Sequence, residues 1–579
     1  MKWKETLFSK QCGKAELLAL LLYAAGTFCI MLFHEPWLDE AQAWQIARCA
    51  SFREILIEIP HYEGHPPLWH LLLTIPAKLG LPYEMSNHVM NLLLTVPAIA
   101  VLLYRSPFPK IIRCLLPFTF PLFYQLGVIN RPYSLMMLAI FLSASQYRER
   151  NTHPMRFILA LCLLCLTSAY GVLMAGGICL AWTVEIFRSY CASRKWRDIP
   201  RDARFWCLMG ILLLALGLLW MCLPAEDIYT STQNHTYKER LVLIEYAVMM
   251  PFDGLFGMII SEGLGLMTGP GILLTLFGGI LAWTVMLLLA HANKKLLLLL
   301  GSYVSFCLFF ALVYGFVHHV AISVLGQLCF FWMLLDDGTF VTPTLFKRIS
   351  NAVGTPMVRR LAVFTACLAC CMPLYCAAVS SYLEIRHPYG PRELADFLHE
   401  NHLEERRIMN GCPIVYVKED GTQEDVPDAM ETLSRTNPLW DETLPAKMPE
   451  VDYMRPDCQY STTAIQPYFD ENPIVNYNVG APGKNYLLWR DEQEHWEEVL
   501  AQWHDEGLPE VCIGLVPLQY IFSEEELDGV EYYWVGTVHY GNIWRLDWDR
   551  TPLMIYLRSD LMEEYPQFKQ LHYAYNDDY

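Results

Sequence analysis

Eleven apolar runs, most of them close to the length of a bilayer crossing, constrain this chain more than any other feature. A helix rises about 1.5 Å per residue, so roughly 20 residues span the ~30 Å hydrocarbon core. The runs fall near 15–33, 85–104, 111–128, 133–147, 156–170, 171–187, 205–223, 270–290, 295–315, 318–335 and 361–381. Lipid offers no hydrogen-bond partner to an open backbone edge, so each run is expected to be helical. The composition agrees: 54% of residues are hydrophobic and 18% charged, so length alone is no guide to the number of soluble domains. Residues 68–82, LWHLLLTIPAKLGLP, are apolar but short and interrupted by Pro76, and are read as a juxtamembrane or re-entrant helix on the outer surface. The expected fold is an all-α polytopic membrane bundle of about eleven transmembrane helices over residues 1–381. A small α/β domain over 382–579 follows it.

Loop charge orients the bundle. With the N-terminus in the cytoplasm, the inner segments carry 22 Lys/Arg and the outer loops before residue 382 carry six. That asymmetry is a positive-inside pattern. The first apolar run is long and lacks a small-residue cleavage pattern after it, so it is read as a span and not a signal peptide. The expected location is the cell membrane, multi-pass, with residues 382–579 outside.

That C-terminal region has a net charge of −25 and the preceding 381 residues +7. The acidity argues against nucleic acid as a partner and against docking on anionic lipid. The helical signal PRELADFLHE and the short apolar runs at 413–417 and 511–516 suggest the α/β character, while 418–457 lack periodicity. Most of the 19 cysteines lie in apolar runs, Cys412, Cys458 and Cys512 form no closed disulfide set, and no zinc-ligand spacing occurs.

The candidate chemistry gathers in the outer loops. The first, 34–84, opens with HEPWLDEAQAW. Asp39 and Glu40 there suit a base beside the bundle, and equally suit the start of a helix. In HYEGHPPLW, the ionisable His61, Glu63 and His65 suit a phosphate or sugar site or a wet turn. In INRPYS, Arg131 and Tyr133 lie in and just after a tight loop, where a guanidinium forks phosphate oxygens or snorkels to headgroups. His318 and His319 occupy another tight outer turn. Lys238 and Arg240 are further candidate phosphate ligands in the loop 224–269.

The Asp39–Glu40 pair after the first span, followed by His65-Pro66-Pro67-Leu68, resembles the GT-C glycosyltransferases. The nearest groups are the polyprenyl-phosphate-dependent protein mannosyltransferases and the lipid A aminoarabinose transferases. The resemblance covers roughly residues 15–190. It implies inverting transfer from a polyprenyl-phosphate sugar donor to a hydroxyl on a glycan, lipid or protein acceptor. Asp39 would be the general base, Glu40 would orient the acceptor, and Arg131 with His65 or His319 would stabilise the leaving phosphate. No essential metal or other cofactor is expected. Two other classes remain open on the residues alone: a transporter or flippase of a glycan precursor, and a non-catalytic scaffold whose exported domain binds a partner.

Overall fold

The computed structural model describes residues 13–193, 196–226, 237–254, 269–313, 319–337, 340–387 and 390–411, together with parts of the C-terminal region: 415–417, 423–425, 463–474, 484–486, 488, 501, 503–514, 518, 524–541 and 550–568. In chain order the principal helices are α1 (Lys14–Met31), α2 (Leu38–Cys49), α3 (Leu68–Lys78), α4 (Tyr83–Arg105), α5 (Pro132–Gln146), α6 (Pro154–Cys165), α7 (Ala169–Ser193), α8 (Ala203–Met221), α9 (Tyr237–Phe252), α10 (Gly269–Ala292), α11 (Leu296–Leu312), α12 (Val320–Asp336), α13 (Thr344–Val353), α14 (Thr355–Arg386) and α15 (Pro391–Glu400).

Six of these, α1, α4, α7, α8, α10 and α14, are long and apolar enough to cross a membrane. Their outward faces are apolar too: Leu213 and Trp220 on α8 and Leu273 and Phe277 on α10 are each at least 64% exposed. Large apolar groups turned outward in such numbers suit lipid, not water. The other apolar runs form shorter helices. α6, α11 and α12 have 10–17 residues, α5 has 15, and the run 111–128 breaks into short turns around Pro117 and Pro121. The segment 224–269, expected to be a loop, contains α9, which packs against α10, α11 and α12. Ala247 and Met250 of its YAVMM stretch are buried, while Leu241, Val242 and Ile244 are exposed apolar groups, so packing by the second half of the helix overrides the polar flanks.

Sequence-local signals set several helix starts. Pro132, Pro154 and Pro391 occupy first helical positions, where the missing N–H is not needed. Gly177 of α7 meets the Gly301 carbonyl of α11, and a Cβ at Gly177 would collide with that backbone. The two helices therefore touch main chain to main chain. Away from the site, Arg150 binds Glu185 at 2.8 Å and Asp337 at 2.9 Å, and Lys295 adds a 2.7 Å contact to Asp337.

The C-terminal region holds a four-stranded sheet of order β1-β4-β6-β5: β1 (Ile408–Gly411), β4 (Val511–Gly514), β5 (Tyr532–Gly541) and β6 (Arg550–Arg558). β1 and β4 are parallel; β6 is antiparallel to both β4 and β5. A separate antiparallel pair joins β2 (Val415–Val417) to β3 (Gln423–Asp425). The apolar runs at 413–417 and 511–516 thus contain strands β2 and β4, and α15 forms where PRELADFLHE predicts it. Most of 418–457 lies outside the described residues.

This sheet-bearing region seats on the first loop. Arg48 donates to the Phe469 carbonyl at 3.0 Å, and Gln45 to the Asn485 carbonyl at 3.1 Å. Glu54 accepts from Lys484 at 3.2 Å and Tyr486 at 3.0 Å, and Glu84 from Tyr468 at 2.6 Å and Arg392 at 2.9 Å. Loop and C-terminal region therefore share one end of the bundle.

Candidate functional site

α2 begins at Leu38, not at Asp39. Trp37 takes the cap position, and Glu40, the third residue of the helix, accepts from the Trp37 N–H at 3.1 Å. Asp39 is left free of capping duty and forms an ion pair with Arg131. The pair is sheltered but not sealed, with Asp39 28% and Arg131 14% exposed at the side chain. A carboxylate at a helix start also gains from the positive end of the helix dipole.

Arg131 sits at the N-cap of α5, against two aromatic rings. Its guanidinium lies 5.0 Å from the Trp37 ring centroid and 5.1 Å from that of Tyr133, within cation–π range. The Tyr133 hydroxyl meets His319 Nε2 at 3.1 Å, and the Tyr170 hydroxyl meets His319 Nδ1 at the same distance. His319 is fully buried. The Tyr133 ring also packs edge-on against His65, with centroids 6.2 Å apart. Burial, then the Arg131 charge and the neighbouring His70 ring, push His65 down to about 3. Its imidazole is therefore neutral at physiological pH, and its buried Nδ1 has no hydrogen-bond partner among the described residues.

Asp39, Arg131, Tyr133, His65 and His319 thus come together. The other candidates separate from them. Glu40 is 1% exposed and its carboxylate is occupied, accepting from the Asn130 N–H at 2.6 Å and facing His34 Nε2 at 3.0 Å. So placed, the buried carboxylate braces the loop. His61 turns to the end of α8, with Nδ1 2.6 Å from the Leu223 carbonyl. Glu63 accepts a 3.4 Å bond from Gln42. Arg240 is exposed on the first turn of α9, a helix that packs on α10, α11 and α12. The side chain of Lys238 and the whole of His318 lie outside the described residues.

Sequence reasoning passed over His34, Tyr124, Asn130, Tyr170 and Glu384. His34 Nδ1 lies 2.6 Å from Glu384 Oε1, and the Tyr124 hydroxyl donates to Glu384 Oε2 at 2.6 Å. A carboxylate near the end of a long apolar helix is itself a signal, because burying it unpaired is costly. Its partner, 350 residues earlier, carries no such mark.

Among the described residues no group of three or more His, Cys, Asp or Glu is arranged to hold a metal ion. No protein-family model, curated protein or solved structure matches the chain.

Proposed function

We propose that this chain is a membrane glycosyltransferase that moves a sugar from a polyprenyl-phosphate donor to an acceptor hydroxyl. The observation that carries the reading is the Asp39–Arg131 pair: a partly exposed carboxylate beside a guanidinium fixed between two aromatic rings. A base for a hydroxyl and a fork for phosphate oxygens are what such a transfer requires at neighbouring points. The acceptor oxygen attacks the anomeric carbon from the side opposite the phosphate, and Asp39 takes its proton. The sugar–phosphate C–O bond breaks, and the lipid phosphate leaves with the electron pair. Arg131 meets the charge that develops on it, in surroundings where charge is weakly screened. Neutral His65 offers one further hydrogen bond beside Arg131.

In this reading α5, α6, α11, α12 and the broken segment 110–125 are also crossings. The bundle then has eleven spans, a cytoplasmic N-terminus, and the site and C-terminal region outside. The similarity of the Asp39–Glu40 and His65-Pro66-Pro67-Leu68 motifs to GT-C enzymes supports the same assignment.

The test is a transfer assay with radiolabelled polyprenyl-phosphate sugars and purified protein. Wild type releases free polyprenyl phosphate, and Asp39→Asn releases none while inserting normally into the membrane. A carrier or scaffold would release none in either form. Wild-type turnover by Asp39→Asn would remove Asp39 from the base role.

A further inference from the structure

Between the first loop and the last long helix lies a chain of buried polar groups that the transfer chemistry leaves unused. His34 faces a carboxylate oxygen at each ring nitrogen: Glu384 Oε1 at 2.6 Å from Nδ1 and Glu40 Oε2 at 3.0 Å from Nε2. All three residues are at most 5% exposed. An ionised carboxylate only accepts, so a ring with both nitrogens protonated is the form that satisfies both contacts. Tyr124 completes the far end by donating to Glu384 at 2.6 Å.

We propose that His34, clasped between Glu40 and Glu384, is a positioning residue that sets Asp39 and Arg131 in register. This rests on the transferase reading above. The argument follows the bonds outward from His34. Glu40 lies next to Asp39 in α2, and its carboxylate also holds the Asn130 N–H at 2.6 Å, directly before Arg131. One carboxylate thus fixes the backbone on both sides of the ion pair. His34 fixes that carboxylate and ties it to Glu384 at the end of α14. The neighbouring Glu35 makes a parallel tie, accepting from Gly390 N at 2.7 Å and Arg392 N at 3.3 Å. The start of the C-terminal region and the candidate base therefore share one anchorage.

The charged groups around His34 are Glu40 from α2, Glu384 from α14, Glu35 from its own loop, Glu84 from α4 and Arg392 from α15, with His88 of α4, held neutral by burial, beside them. Burial alone would lower the pKa of His34, but Glu40 and Glu384 outweigh it and hold the group up at about 10. The brace is complete below the unfolded value of about 6.5 and is lost as pH rises through about 10.

The test compares pH profiles of transfer and of proteinase K cleavage in the first loop for wild type, Glu384→Gln and Tyr124→Phe. Wild type should lose transfer and protection together near pH 10. Glu384→Gln removes one of two anions, so both losses should move down by about one to three pH units. Tyr124→Phe keeps the charge and should leave the limb in place. A purely structural Glu384 would lower activity at every pH without moving the limb, and an unmoved limb in Glu384→Gln overturns the proposal. If that variant does not fold, wild-type cleavage that stays flat up to pH 10.5 overturns it equally. Cleavage that shifts as stated, with no transfer by any form, sinks the transferase reading and leaves the brace standing.

Discussion

Replacing Asp39 with Asn should tighten binding of sugar-free polyprenyl phosphate even as it abolishes transfer. In the structure Asp39 occupies the guanidinium that the donor phosphate would engage. Ligand and carboxylate then compete, and part of the binding energy goes to separating the ion pair. The side chains are 28% and 14% exposed, so the pair resembles the stronger surface bridges more than a sealed one. Such bridges contribute up to about 1 kcal/mol. Removing that competition should lower Kd about fivefold, since 1.4 kcal/mol is a factor of ten. The assay is equilibrium binding of labelled undecaprenyl phosphate to protein in nanodiscs at fixed ionic strength, with transfer measured on the same preparation. Unchanged or weaker binding by Asp39→Asn would refute the competition, because it would mean that Arg131 and the phosphate do not meet. Loss of both binding and membrane insertion would instead mark Asp39 as a folding residue.

Arg131→Lys keeps the charge but loses the planar fork between Trp37 and Tyr133, so donor Kd should rise about tenfold, read in the same binding assay. The folded pKa of His65 lies near 3, below its unfolded value. Folded protein therefore excludes a proton that unfolded chain binds, and thermal stability should fall as pH drops below about 6.5. His65→Phe should flatten that acid slope, and an unchanged slope would show that the ring is not held neutral. Glu54 is pushed to about 2: burial opposes the shift, while bonds from Ser51, Lys484 and Tyr486 outweigh it. The seam it makes should hold at mildly acidic pH. Lys484→Glu reverses one contact in that seam and should speed proteolysis at the junction of the first loop and C-terminal region, with a stability loss of no more than about 1 kcal/mol by denaturation.

The sequence marked the architecture well where long apolar runs speak alone, as at 15–33 and 270–290, and less well where Pro117 and Pro121 cut a run into turns. α9 escaped because its polar ends looked like a loop. Within the site, Asp39, Arg131, Tyr133, His65 and His319 were legible from type and loop position. Which of them meet was not, since pairing across 92 residues, as for Asp39 and Arg131, depends on how helices pack. Glu40 shows the limit most directly. Its neighbour points into the site and it points into the protein, a difference decided by the rotation of α2 about its axis. The His34–Glu384 link is beyond any local pattern.

α6 has 12 residues, so it rises only about 18 Å, well short of the ~30 Å hydrocarbon core. It ends at Cys165, just before Tyr170 joins His319 at the floor of the site, and its outer face carries Met155 and Leu159, each 60% exposed. If α6 crosses as proposed above, lipid against that face thins to match it. A pinched bilayer brings headgroups down toward Arg131, so a lipid-borne phosphate could reach the guanidinium by moving sideways within its own leaflet, without its tail leaving the hydrocarbon.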